Sequence, residues 1–203
     1  MMEQPTSAID AHLAARLRSL RTGQGLTLDG LAERAGVSRA MISLIERGES
    51  SPTANILDRL AAGLGVTLAA LFADMARADA APLARRGDQP VWRDPATGYL
   101  RRNLSPPGFP SPIDLVEVVL PPGARVAYDG GPRAVAVHQQ IVLLEGTVAL
   151  TVGDDRHELA AGDCLAMRLD RPILFHNPAG QPARYLVALT TDTARAGQGG
   201  PKR

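Results

Sequence analysis

The groups in this chain that could do chemistry are few and scattered. Cys164, His138, His157 and His176 are set far apart along the chain. Imidazole, thiolate and carboxylate are the donors that a borderline divalent metal requires. His138 stands alone in AVAVHQQIVLLEG (134–146), His157 follows a GDD turn and His176 precedes Asn177. The carboxylates Glu117, Asp129 and Glu145 form no obvious general acid–base pair. Cys164, in AGDCLAMRL, reads as part of a strand, and its thiol is expected to be buried and inert. A different pattern occupies residues 38–47. At helical spacing Arg39, Ala40, Ser43, Leu44 and Arg47 share one side, while Val37, Ile42 and Ile45 share the other. That face offers guanidinium groups, a hydroxyl and small apolar groups to whatever lies outside.

The elements that position these residues follow from hydrophobic period and punctuation. Leu13, Leu17 and Leu20 recur at i, i+4, i+7, which predicts a first helix ended by Gly23-Gln24-Gly25. Thr27 suits the N-cap of a helix over Leu28–Ala35, Gly36 a tight left-handed turn, and Ser38 the cap of the next helix, to Arg47. Pro52-Thr53 opens a fourth helix, Ala54–Leu64, and Thr67 caps a fifth, ending at Phe72. Residues 73–90 lose any sustained apolar face and read as a helix tail and linker. From Val91 the period becomes two, with turn signals such as DGGP, GDD, AGD and NPAG between β-branched runs. IDLVEVVL, RVAY, QIVLL, TVALTV and ARYLVALT then predict a sandwich or barrel. The tail, ARAGQGGPKR, reads as disordered.

Composition bounds the function classes. The 203 residues suffice for one or two domains with a true core, and 45% hydrophobic with 21% charged residues is ordinary globular composition. Aromatics make up only 3%, so Leu, Val, Ile and Ala are expected to fill the interior. One cysteine excludes an internal disulfide and fits a reducing compartment. No apolar run is long enough to span a bilayer, and MMEQPTSAID lacks the basic start of a secretory signal, so a cytoplasmic protein is expected. A net charge of +1 gives no global nucleic-acid signal.

Two helices joined by a glycine-containing turn have the helix-turn-helix layout. Residues 12–72 resemble the phage-repressor type (XRE, Cro/C1) of that family. The motif L-A-x-x-x-G-V-S-x-x-x-I-S-x-I-E-x-G is matched from Leu31 to Gly48, and SSPT follows where the family starts its fourth helix. The resemblance implies double-stranded DNA as partner, with Thr27, Ser38, Arg39, Ala40, Ser43, Leu44 and Arg47 as contact residues. Arg39 would read a guanine bidentately, Ala40 and Leu44 would meet thymine methyls, and Arg47 with the 48–53 loop would face phosphates. Leu28 departs from the family, where a glutamine often contacts a phosphate. A homodimer would set two recognition helices about 34 Å apart and require a roughly palindromic operator.

Residues 91–190 resemble a cupin barrel. The pieces are Leu120-Pro-Pro-Gly123, Leu144-Glu-Gly146, Leu159-Ala-Ala-Gly-Asp163 and Asn177 with the returning strand ARYLVAL. Where cupins carry metal ligands this chain has Gln139, residues near 132–135 reading PRAV, and Ile173, so no metal and no cofactor are expected. The expected interior is apolar with polar points at Gln139, Arg133, Tyr128 and Asn177, and with Ile141 and Ile173 on its walls. Strand alternation turns Gln139, Ile141 and Leu143 inward, and His138 and Gln140 outward. Such a lining suits a small organic effector.

Together these readings predict an α + β two-domain chain. A five-helix helix-turn-helix bundle at 9–73 is followed by a linker at 74–90, a cupin-like antiparallel β-barrel or jelly roll at 91–190, and a tail at 191–203. The expected function is a sequence-specific, dimeric transcription regulator, not an enzyme, with a small-molecule sensing domain. The alternatives are a cupin metal enzyme carrying a DNA-binding module and an antitoxin-like repressor.

Overall fold

A computed structural model of the chain describes residues 8–72, 79–130 and 135–191. Four α-helices lie at the start: α1 (Ala8–Gly23), α2 (Leu28–Ala35), α3 (Arg39–Glu46) and α4 (Ala54–Gly63). Three of their starts are capped by the hydroxyls that the sequence offers. Thr27 Oγ1 accepts from Gly30 N at 3.0 Å, Ser38 Oγ from Met41 N at 3.2 Å and Thr53 Oγ1 from Ile56 N at 3.5 Å. Each satisfies an amide that a helix start leaves open. Leu13, Leu17, Leu31, Ile42, Ile45, Leu57 and Leu60 form the buried centre of the bundle. The fifth helix is a single 3₁₀ turn, Ala69–Leu71, capped by Thr67 Oγ1 on Ala70 N at 3.0 Å. So short a segment gains too few hydrogen bonds to close α-helical turns, so the count of five helices gives way to four and a turn.

The remainder is two antiparallel sheets. The larger contains β1 (Val91–Arg93), β2 (Leu100–Asn103), β3 (Ile113–Leu120), β5 (Val137–Glu145), β8 (Cys164–Arg168) and β10 (Ala183–Thr191), in the order β1-β2-β3-β10-β5-β8. The smaller contains β4 (Arg125–Tyr128), β6 (Thr147–Val152), β7 (Asp155–Ala160) and β9 (Ile173–His176), in the order β4-β9-β6-β7. Their inner faces meet over Val116, Val118, Leu120, Ile141, Leu143, Leu150, Phe175, Tyr185 and Val187. This is a two-layer jelly-roll arrangement with open sheet edges, the second of the two forms expected, without barrel closure. Gly146, at φ +81°, turns β5 into β6, where a side chain would press on Ala183.

One expectation fails for a tertiary reason, and another holds with an addition, Leu, Val, Ile and Ala making up most of the core as expected. Cys164 is exposed, because β8 is an edge strand whose residues are exposed or half-buried. The few aromatics are also central to the interior. Phe72 meets Trp92 at a ring separation of 5.7 Å, Trp92 meets Tyr99 edge-on at 5.8 Å, and Tyr128, Phe175 and Tyr185 continue the series at 5.9 and 5.7 Å. The Tyr99 and Tyr128 hydroxyls, 3.1 Å apart, link the two groups. Rings from both halves of the chain are therefore in one continuous core.

Polar contacts reinforce that junction. Asp94 is buried on the β side, where Oδ1 accepts from Ala54 N at 2.9 Å and so caps the first turn of α4. Thr67 Oγ1 donates to Asp114 Oδ2 at 3.2 Å. The expected linker at 74–90 and tail at 191–203 lie partly outside the described residues. Residues 79–90 that are described contain one 3₁₀ turn, Arg86–Asp88.

Candidate nucleic-acid interface and interior cavity

The relation between α2 and α3 is set by Gly36, which has φ +62° and donates its amide to Ala32 O at 2.9 Å. A side chain there would meet both an unfavourable backbone conformation and the Arg59 guanidinium. Arg59, on α4, donates from Nε to Ala35 O at 3.1 Å and from Nη2 to Gly36 O. It therefore satisfies carbonyls that the end of α2 leaves open. Gly63 allows α4 to approach α2 closely, since a Cβ there would stand 3.0 Å from Ala35. From this frame α3 buries Ile42 and Ile45 and turns Arg39, Ala40 and Arg47 outward, with Ser43 and Leu44 half-exposed. Thr27 and Ser38 are exposed at the two helix starts, their hydroxyls already used as caps.

Neither outward arginine stands free. Arg39 Nε lies 3.4 Å from Asp29 Oδ1, with both side chains largely exposed. Arg47 makes a two-pronged pair with Glu49, 2.7 Å on each prong, and also donates to Ser43 Oγ. That pairing raises the Arg47 pKa and holds the Glu49 carboxyl below its usual range. The face thus carries charge-balanced pairs that any anion docking there would have to open. Arg21 plays another part. It forks onto Glu46 at 2.7 and 2.8 Å and donates to Leu26 O at 2.8 Å, which ties α1 to the end of α3. Hydrogen bonding to Glu46 raises its pKa. Nothing in the motif pointed to this pair.

The second feature is a cavity of about 40 Å³ between the sheets and the helical bundle. Of the residues expected there, Tyr128, Gln139 and Ile173 line it. Gln139 is buried, as alternation along β5 required, and His138 and Gln140 are on the opposite face. Ile141 is buried in the core without reaching the cavity, and Arg133 lies outside the described residues. Asn177 is wholly buried, but its amide is consumed by backbone. Nδ2 donates to Leu120 O, Pro121 O and Gln181 O at 3.0, 3.2 and 2.8 Å, and Oδ1 accepts from Ala179 N at 3.0 Å. It pins the turn after β9 and is not a polar point of the interior. His138, His157 and His176 lie on β5, β7 and β9, and among the described residues no group of three His, Cys, Asp or Glu is placed to hold a metal.

The cavity contains residues that sequence reasoning missed. Arg101 on β2 is 5% exposed, and its Nε and Nη2 have no hydrogen-bond partner among the described residues. Its guanidinium carbon lies 5.7 Å from the centre of the Phe72 ring. Asp58 and Leu68 reach the same cavity from the helical side. The stretch YLRRN has no apolar alternation to announce an inward arginine. Burial also pushes the Tyr99, Tyr128 and Tyr185 hydroxyls above their ordinary value, so they stay protonated as hydrogen-bond donors at neutral pH.

Residues 17–71 match a family model described as Helix-turn-helix, HTH_3. The chain is similar to the HTH-type transcriptional regulator SutR of Escherichia coli (strain K12). It is 25% identical over 173 residues, which cover 85% of this chain and 91% of that protein. It is also similar to the HTH-type transcriptional regulator PuuR of the same organism, 26% identical over 180 residues, covering 88% and 94%. Among solved structures, an HTH_3 family transcriptional regulator from Vibrio cholerae superposes with a TM-score of 0.69 at 26% identity, covering 90% of this chain and 96% of that one. No helix of the described residues is long and apolar enough to cross a membrane.

Proposed function

From the premise that residues 17–71 form a helix-turn-helix domain of the HTH_3 (XRE) type, we infer that the protein is a sequence-specific, DNA-binding transcription regulator. The observation that carries this reading is the Gly36 turn, which directs Arg39, Ala40, Ser43, Leu44 and Arg47 of α3 to one exposed side. A helix so presented fits a major groove, with Arg39 near base edges and Arg47 near the backbone. Ser38, at the start of α3, stands near base edges with Arg39, and Thr27, at the start of α2, is a further contact residue. Selection from a random duplex library at moderate salt tests the reading: an enriched motif is expected, and its absence would sink it.

The protein acts as a homodimer on a palindromic operator, because paired arginines give one recognition helix little net charge to hold DNA alone. The outer face of the larger sheet supports this. Ile113 and Leu115 are exposed there, beside half-buried Leu186 and Val142. The jelly-roll domain is cupin-like and takes a small effector in the cavity lined by Tyr128, Gln139 and Ile173. An enzymatic role is disfavoured by how the carboxylates are used. Glu117 and Glu145 both bind Arg184, and Asp129 binds Asn55. The helical domain, residues 9–73, and the jelly-roll, residues 91–190, act as reader and sensor.

A further inference from the structure

Arg101 is a buried cation on the lining of a cavity, with Nε and Nη2 unbonded. Asp114, the acid close enough to feel its charge, is bonded to Thr67, and Asp58 on the cavity wall has an interaction of its own. The phenols of Tyr99 and Tyr128 are bonded to each other, and Tyr99 also interacts with Arg101, which leaves its Nε and Nη2 unbonded. The rest of the lining is mostly apolar, with Val118, Ile173, Phe175, Val187 and Leu189 beside Gln139 and an Arg171 that is paired with Asp155. The space therefore combines an unsatisfied cationic donor with hydrocarbon surface.

We propose that this cavity is a binding site for a small monocarboxylate, its carboxylate held by Arg101 and its alkyl group against the Val187 and Leu189 wall. This deepens the effector-sensing reading and rests on it for its biological meaning, although binding is measured without DNA. Arg presents a planar fork that matches a carboxylate, and an anion there supplies the partner that Nε and Nη2 lack. Size narrows the class. One water needs roughly 10–15 Å³ of such space, so about 40 Å³ corresponds to about three or four water-sized groups and favours the shortest aliphatic acids. A tetrahedral oxyanion is disfavoured, since most of its oxygens would face hydrocarbon. An aliphatic acid and a small amino acid share the carboxylate, and the test separates them.

Propionate, butyrate, alanine, inorganic phosphate and propionamide are titrated into the full-length protein by calorimetry, with the Arg101 Nε–H resonance followed by NMR. Propionate or butyrate should bind and shift that resonance, with propionamide at least about tenfold weaker, one charge-assisted contact being worth that much or more. Arg101→Met should lose the same factor, while Arg101→Lys recovers part of it. Should Arg101→Met fail to fold, the resonance in the unaltered protein still decides. Tighter binding of alanine than of propionate would keep the site and assign it to amino acids. No binding of any carboxylate, equal binding of propionamide, or preference for phosphate would overturn the proposal. If carboxylates bind yet leave operator affinity unchanged, the site stands and the sensor reading fails. If another metabolite changes operator affinity and no carboxylate binds, the reverse holds.

Discussion

Arg59 and Asp129 face each other across the junction between helices and sheets, Nε to Oδ2 3.9 Å. The same arginine holds the α2–α3 turn through Ala35 O and Gly36 O, and Asn55 of α4 donates to Asp129 Oδ1 at 3.1 Å and to Ala127 O at 3.2 Å. Tyr128, the neighbour of both β-side partners, lines the cavity. A short physical path thus runs from cavity wall to recognition helix. Arg59→Ala should cost about 1–2 kcal/mol in denaturant unfolding, because it strips partners from carbonyls at a helix end. It should also weaken operator binding severalfold. Asp129→Ala removes an exposed pair and should change stability by less than about 1 kcal/mol.

The recognition face can be tested by salt. Arg39→Ala should relax preference at one base pair per half-site, whereas Arg47→Ala should weaken all sequences alike. Glu49→Gln releases Arg47 from its two-pronged pair and should steepen the salt dependence of binding, by close to one phosphate contact per protomer at most. Fluorescence anisotropy at four or so salt concentrations reads both effects. An unchanged slope would mean that Arg47 does not face the backbone.

Glu46 is a helix-end carboxylate that anchors α1 through Arg21. Glu46→Gln should destabilise the chain by about 1–2 kcal/mol, more than an exposed ion pair and less than a fully desolvated one. Thermal unfolding measures this. Little change in operator specificity is expected, since Glu46 points into the bundle.

Asp114 gives a pH signature of unusual sign. Burial raises its carboxyl above the ordinary value of 3.8, against the lowering effects of Thr67 and Arg101. The folded chain then holds the proton longer than the unfolded chain does. Its contribution to stability therefore falls as pH rises from about 3.8 through the raised value, and the loss is complete above it. Asp114→Asn should remove that fall, so the stability difference between variant and parent grows in the variant's favour over this window. Denaturant melts between about pH 3 and 7 provide the comparison; a flat difference would rule out the assignment.

Leu115→Asp should dissociate the proposed dimer with little effect on the fold, because Leu115 is 42% exposed on the outer face of the larger sheet. Sedimentation velocity decides between monomer and dimer. Operator affinity should drop with dissociation, since only a dimer engages two half-sites.

Local chemistry was enough to read most of the secondary structure. Thr27, Ser38 and Thr53 cap the helices that their spacing predicts, and Gly36 makes the expected left-handed turn. Period-two patterning placed β3, β4, β6 and β10 and turned Gln139 inward. These features depend on residues a few positions apart, so their causes lie within a short window of sequence. The strand around Cys164 was read from the sequence but its exposure was not, and the strand around His157 was less legible, because an edge strand need not alternate cleanly. Three further features were decided only when distant segments met: the saturation of Asn177 by backbone, the aromatic series from Phe72 to Tyr185, and the burial of Arg101 with Nε and Nη2 unbonded. Each depends on which surface packs against which, and no spacing within LRRN or HNPAG records that. The sequence by itself determined a helix-turn-helix reader followed by a β-rich domain. Tertiary packing decided that the two share a core and that a buried positive charge sits where they meet.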